Sequence, residues 1–257
     1  MIKVEHLSFS YGQHKVLEDI SFSTNDGELL CLLGCNGAGK STLFKCILGI
    51  LKKYEGTITL DGQDMAELKP REKARLVAYI PQATNPAFAY SVMDMVLMGT
   101  TANMSNLSNP GDKEREVAMV ALKRMGIEHL AGRDYTRISG GEQQLVLIAR
   151  AIAQGASYLI MDEPTSSLDY GNQLRVQQQL RLLAREGYTI IESTHNPEQT
   201  YMFADRIICI RDGRIYSNGR PSEVMDEKMI KDLYGVDVDM LTTRDHRVRF
   251  FELRDSE

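Results

Sequence analysis

Apolar and polar residues alternate through the first 28 positions. Ile2 and Val4, then Leu7, Phe9 and Tyr11, share one side, which predicts antiparallel strands with one buried face. The alternation gives way to Leu29-Leu30-Cys31-Leu32-Leu33, an unbroken apolar run suited to a strand covered on both faces. Behind it the period changes, and Leu43, Phe44, Ile47, Leu48 and Leu51 recur at helical spacing. Gly56–Gly62 reads as a short strand closed by an Asp61-Gly62 turn, and Leu76–Ile80 as another strand. From about residue 84 to 155 the pattern is helical. Ser91-Val92-Met93-Asp94 fits a capping box, with Val92, Met95 and Val96 on one face and Gly99 as the stop. Asn106–Gly111 reads as a loop. Asp112 is the expected cap of a helix striped by Ala118, Leu122 and Met125 and ended by Gly126. After Gly155 the chain alternates: an apolar strand at Tyr158–Met161, a helix marked by Val176, Leu180 and Leu183, and a strand at Tyr188–Ser193. Such alternation predicts a parallel sheet covered by helices.

Between the apolar run and the helix that follows it lies Gly34-Cys35-Asn36-Gly37-Ala38-Gly39-Lys40-Ser41-Thr42, which matches G-x-x-x-x-G-K-[ST]. Its glycines let the backbone curl so that successive amides point at phosphate oxygens. Lys40 adds positive charge near the β- and γ-phosphates, and Ser41 offers a hydroxyl to Mg²⁺. A Gly-rich turn can match such a pattern by chance, but here the strand and the helix that the mechanism needs flank it. These residues imply a nucleoside triphosphate site. The expected fold class is α/β, a P-loop NTPase core with a mostly parallel sheet, an N-terminal antiparallel β subdomain and an inserted helical subdomain.

Composition changes the picture little. The 257 residues are 43% hydrophobic and 25% charged, ordinary for a globular chain, and a net charge of −5 argues against a general nucleic-acid binder. No apolar stretch reaches the length of a membrane span, and Met1–His6 reads as a strand rather than a signal sequence. Cys31, Cys35, Cys46 and Cys209 show no metal-ligand spacing, so a reduced setting is expected. Cys35 alone lies in the phosphate loop, and alkylation of its thiol is expected to block nucleotide binding.

Two further segments carry chemistry. Tyr158-Leu159-Ile160-Met161-Asp162-Glu163 is a buried strand ending in two carboxylates, which would deliver Asp162 to Mg²⁺ and Glu163 to an attacking water. Taken alone it could equally be a strand emerging into solvent. Ile138-Ser139-Gly140-Gly141-Glu142 leads into a helix marked by Leu145, Ile148, Ala149 and Ile152. Its first amides could hold an anion, or it could be a capped helix and no more.

The order of these motifs, followed by Ser167-Leu168-Asp169 and by His195, resembles the ATPase subunit of ATP-binding cassette (ABC) transporters. The likeness covers essentially residues 1–240. It implies an ATPase domain over 1–240 with the helical insertion at about 84–155, and leaves 241–257 as a tail without a reading. By the resemblance, Tyr11 stacks on adenine, and Gln82 touches Mg²⁺ and the attacking water. Ser139, Gly140, Gly141 and Glu142 bind the γ-phosphate of ATP held by the opposite subunit. Asp169 links the two sites, and His195 holds the γ-phosphate and steadies Glu163. The implied assembly is a homodimer with two separate permease subunits and, indirectly, a substrate-binding protein, peripheral to the cytoplasmic face of the inner membrane, with no nucleic acid. Ile138, Glu142 and Ser167 depart from the usual residues, which bears on rate and dimer coupling. Residues 76–99 look most like the branch importing iron–siderophores, haem and cobalamin, with a molybdate or tungstate relative. The Met93, Met95 and Met98 cluster reads either as core or as part of a groove for the permease. The alternative is a soluble cassette ATPase acting on nucleic acid or ribosomes. A nucleotide sensor without hydrolysis is opposed by the intact Glu163 and His195.

Overall fold

Alternating burial along the first two strands, with Ile2, Val4, Leu7, Phe9, Leu17, Ile20 and Phe22 inside, makes β1 (Ile2–Tyr11) and β2 (His14–Ser23) an antiparallel hairpin. The computed structural model describes residues 1–82, 88–104, 109–244 and 248–254. In chain order the elements that follow are β3 (Leu29–Leu33), α1 (Lys40–Ile47), β4 (Glu55–Leu60), β5 (Gln63–Asp64), α2 (Pro70–Leu76), β6 (Val77–Ile80), α3 (Val92–Thr100), α4 (Asp112–Arg124), α5 (Gly140–Ala153), β7 (Tyr158–Asp162) and α6 (Tyr170–Arg185). The chain ends with β8 (Thr189–Thr194), α7 (Pro197–Phe203), β9 (Arg206–Arg211), β10 (Arg214–Gly219), α8 (Pro221–Val224), α9 (Glu227–Tyr234), β11 (Val238–Thr242) and β12 (Arg249–Leu253). They form two compact units, Met1–Glu67 with Ala184–Glu257, and Leu68–Leu183.

In the first unit β2, β1, β4 and β5 form an antiparallel sheet. The two-residue turn into β5 uses Asp61 and Gly62, both at positive φ, as a hairpin of this length requires. A second sheet places β3 in the middle, parallel to both β8 and β9, with β10 antiparallel at the edge of β9. All five residues of β3 are buried, which is why its apolar run has no polar alternation. On one face of this sheet Cys31, Leu33, Ile207 and Cys209 pack with Met225, Met229, Ile230 and Leu233 of the C-terminal segment. The β11–β12 hairpin follows, with Val238 buried and Leu241 and Phe250 paired and exposed.

In the second unit β6 and β7 run parallel, and α3, α4 and α5 pack on one another. The capping box at Ser91 forms: its hydroxyl accepts from the Asp94 amide at 3.1 Å, while the Asp94 carboxylate accepts from the Ser91 amide at 3.2 Å. Several boundary readings need correction. Gly99 does not stop α3, which runs to Thr100. A Cβ there would lie 2.1 Å from the Arg150 carbonyl oxygen, so Gly99 is where α3 and α5 approach backbone to backbone. Gly111, not Asp112, is the N-cap of α4, and the Glu114 carboxylate accepts from its amide at 2.9 Å. Leu48 and Leu51 lie beyond the end of α1, and Leu76 closes α2 rather than opening β6. Residues 106–108 of the expected loop, and residue 84 at the edge of the expected insertion, fall outside the described residues.

Candidate active site

In the first unit the phosphate loop leaves the carboxyl end of β3. Gly34 passes so close to β9 that a Cβ would sit 2.5 Å from the Ile210 carbonyl oxygen. Gly39 turns the loop into α1 at φ 103°, where a Cβ would also meet Leu17 Cδ2 at 2.7 Å. Asn36 and Gly37 at the loop's tip are exposed, as is Ser41, while Ala38, Gly39 and Lys40 are buried and Thr42 half-buried. Lys40 is 5% exposed, and its ammonium donates to the carbonyls of Gly34 at 2.6 Å and Cys35 at 3.1 Å. A buried ammonium must be paired, and the curl of the loop supplies the acceptors. Gly39 caps α1 with no side-chain acceptor, and the helix's first turn has no acid. That end is therefore suited to an external anion.

His195 follows Thr194, which pairs with Leu33 in the parallel register of β8 and β3. The two neighbouring strands thus release Gly34 and His195 at the same end, where ligands of parallel α/β sheets bind. Tyr11 ends β1 at 48% exposure, its ring edge-on to Phe9 with centroids 4.9 Å apart. Burial pushes the thiols of Cys46 and Cys209 up to about 12 and about 11, and raises that of Cys31 well above its ordinary value. Cys35 is half-buried, and its thiol donates to the Leu233 carbonyl at 2.7 Å.

The second unit repeats the arrangement with different chemistry. Ile80 pairs with Met161, so β6 and β7 release Gln82 and the Asp162-Glu163 pair at one end. The Gln82 amide donates to the Glu163 carboxylate at 3.4 Å and to the Ser166 hydroxyl at 3.2 Å. Glu163 holds φ 47°, a left-handed conformation that costs a residue with a Cβ about 1–3 kcal/mol. Ser166 fixes it by donating to its carbonyl at 3.1 Å. Asp162 accepts from the Tyr79 hydroxyl. Burial first, then the Asp162 charge, raises the phenol above its usual range.

Ser139 caps α5. Its hydroxyl accepts from the Glu142 amide at 3.3 Å, while the Glu142 carboxylate accepts from the Ser139 amide and hydroxyl, both at 2.8 Å. Those donors, hydroxyl first, hold the Glu142 carboxyl below the usual range. Gly141 passes within 2.5 Å, measured from an added Cβ, of the Asn172 side chain; Gly140 has more room. Asp169 precedes α6 and accepts from the Asn172 amide at 2.9 Å and side chain at 2.7 Å, which lowers its pKa.

Tyr11, residues 34–42 and His195 thus belong to the first unit, and Gln82, residues 139–142, Asp162, Glu163 and Asp169 to the second. Sequence reasoning missed Tyr79, Ser166 and Asn172, which hold the acids. Only Tyr79 left a signal, since it sits in β6 opposite Ile160, two residues before Asp162.

The sequence pattern of a family described as ABC transporter matches residues 17–166. An uncharacterized ABC transporter ATP-binding protein of Haemophilus influenzae is 39% identical, over 94% of this chain and 92% of the relative. The hemin import ATP-binding protein HmuV of Burkholderia lata is 36% identical, over 95% and 97%. Among solved structures, an inward-facing metal-chelate type ABC transporter superposes with a TM-score of 0.87 at 31% identity, covering 99% of this chain and 97% of that one.

Proposed function

The chain belongs to the ABC transporter family, whose ATP-binding subunits are ATPases, and from that premise we propose that it hydrolyses ATP to drive import of haem or a related iron chelate. The observation that carries the hydrolytic role is Glu163, held at φ 47° at the end of β7 with the Gln82 amide 3.4 Å from its carboxylate. Support for the cargo comes from the hemin-import and metal-chelate relatives.

In this reading Lys40 and the amides of Gly34–Thr42 bind the triphosphate, and Tyr11 stacks on the adenine. Glu163 accepts a proton from the attacking water, which Gln82 touches, while His195 holds the γ-phosphate and steadies Glu163; the work is positioning and charge rather than covalent chemistry. Among the described residues no three His, Cys, Asp or Glu side chains form a metal cage. Ser41, Asp162 and Gln82 are hard oxygen donors of the kind that complete the shell of a phosphate-bound Mg²⁺. When bound, Mg²⁺ neutralises charge on the β- and γ-phosphates.

The ATPase domain is assigned to 1–240 with the helical insertion at about 84–155. Two copies close head to tail, with Ser139, Gly140, Gly141 and Glu142 of one meeting the γ-phosphate bound by the other, and Asp169 linking the sites. Loss of the γ-phosphate removes those contacts and the halves part. No helix among the described residues is long and apolar enough to cross a membrane. Two separate permease subunits, fed by a substrate-binding protein, hold the chain peripherally at the cytoplasmic face of the inner membrane. Met95 is buried, whereas Met98 lines a cavity of about 260 Å³ with Asp94, Leu97, Thr101, Pro110 and Arg115. This concavity suits a short segment of the permease.

Glu163→Gln tests the reading. Turnover should fall about 10²–10⁴-fold with ATP affinity kept, measured by phosphate release and nucleotide titration. Near-normal turnover removes Glu163 from its role. Uptake of labelled haem, iron–siderophore, cobalamin and molybdate by a deletion strain tests the cargo.

A further inference from the structure

Two consecutive residues at the end of α9 touch both parts of the first unit's site. The Leu233 carbonyl accepts the Cys35 thiol of the phosphate loop at 2.7 Å. The next residue, Tyr234, donates its hydroxyl to the backbone carbonyl of His195 at 3.1 Å. One helix end thereby spans from the loop after β3 to the turn after β8.

That helix end is firmly anchored. Met229, Ile230 and Leu233 are buried against the β3–β9 face, and Tyr234 packs on the same cluster. Gly235 then turns the chain through a left-handed conformation at φ 73° into the β11–β12 hairpin. Arg249 of β12 locks the hairpin down: its guanidinium lies 4.6 Å over the Tyr201 ring of α7 and donates to the Met225 carbonyl. The tail beyond residue 240 therefore braces α7 through Arg249, and α9 through Arg254, which donates to the Glu227 carboxylate at 2.9 Å. Burial, more than the nearby Cys35 and Cys209 charges, raises the Tyr234 phenol well above its usual range, so it stays a donor at every working pH.

We propose that Tyr234 is a positioning residue for ATP hydrolysis, which fixes the peptide of His195 so that the imidazole keeps its aim relative to the phosphate loop. The inference rests on the reading above that His195 contacts the γ-phosphate. Loss of the Tyr234 bond removes one restraint on the Thr194–Asn196 turn, beside the Asn196 amide's bond to the Thr194 hydroxyl, and small displacements of a reacting group are costly in rate. Binding rests mainly on Lys40 and the loop amides, whereas the Tyr234 hydroxyl bonds the His195 carbonyl.

The test is steady-state MgATP hydrolysis by the full-length chain. Tyr234→Phe removes one oxygen and leaves the ring packed. We expect kcat about 5–20-fold lower, KM for ATP within about two-fold of the parent, and a melting temperature within about 2 °C. In a His195→Ala background the same substitution should cause no further loss, because its effect passes through the imidazole. An unchanged kcat overturns the inference. So does a loss of equal size without His195, or a parallel fall in kcat, affinity and melting temperature. If His195→Ala alone retains full turnover, the underlying role of His195 is what fails, and that outcome is distinct from a failure of Tyr234.

Discussion

Helices α1 and α5 both start from Gly-rich turns, yet their first turns have opposite electrostatic character. Gly39 caps α1 without a side-chain acceptor, no acid follows, and buried Lys40 adds a cation. At α5, Ser139 caps with its hydroxyl and Glu142 folds its carboxylate back onto the Ser139 amide and hydroxyl. One end of a helix is open to an outside anion, and the other already holds its own. Glycines before a helix are therefore not enough to define a phosphate site. What matters is whether the chain's own side chains compete for the first-turn donors. An anion at α5 would meet the Glu142 carboxylate, already held by the Ser139 amide and hydroxyl, so like charge would weaken its binding there relative to α1.

The sharpest break in this comparison is Lys40→Ala. Removing the loop's cation should weaken ATP binding about 30–150-fold, the worth of about 2–3 kcal/mol for a charge-assisted contact, in a fluorescent-nucleotide titration. Unchanged affinity would mean that α1 is no more an anion site than α5. Ser139→Ala comes next. It should lower stability by about 1 kcal/mol through loss of the cap, seen in urea melts, and reduce turnover while leaving ATP affinity of the monomer intact. Smallest is Glu142→Gln, which keeps an acceptor but removes the charge. ATP-dependent dimerisation, followed by light scattering at low salt, should tighten a few-fold, by about 0.3–1 kcal/mol. The stability effect runs the other way and depends on pH. Because the folded state depresses the Glu142 pKa, its contribution is present above the unfolded value near about 4.3 and is lost as pH falls through the folded value. The parent should therefore melt higher than Glu142→Gln at pH 7, and the difference should vanish once the pH lies below the folded-state value.

Much of this was legible in the sequence because it is local. The apolar run Leu29–Leu33 reports a strand covered on both faces, and the nonapeptide after it needs only its own glycines and Lys40 to curl. The cap at Ser91 and the strand ending in Asp162-Glu163 likewise depend on residues within a few positions of each other. Gly99 marks the limit of such reading. Glycine near a helix end is ordinarily a stop, and only the approach of α5 reveals that it makes room for the Arg150 carbonyl. Asp112 and Gly111 differ by a single position, which periodicity does not resolve.

Amino-acid order alone determined the alternation of strands and helices, the phosphate loop, and the acids that end β7, since each is written in a short window of residue types and spacings. Tertiary structure alone decided which distant groups hold those residues in place: Gln82 on Glu163, Tyr79 on Asp162, and the end of α9 on Cys35 and His195. The Cys35 and Leu233 contact joins positions 198 residues apart. No local pattern encodes such a pairing, because it is set by how buried faces pack across the fold rather than by the propensities of either segment.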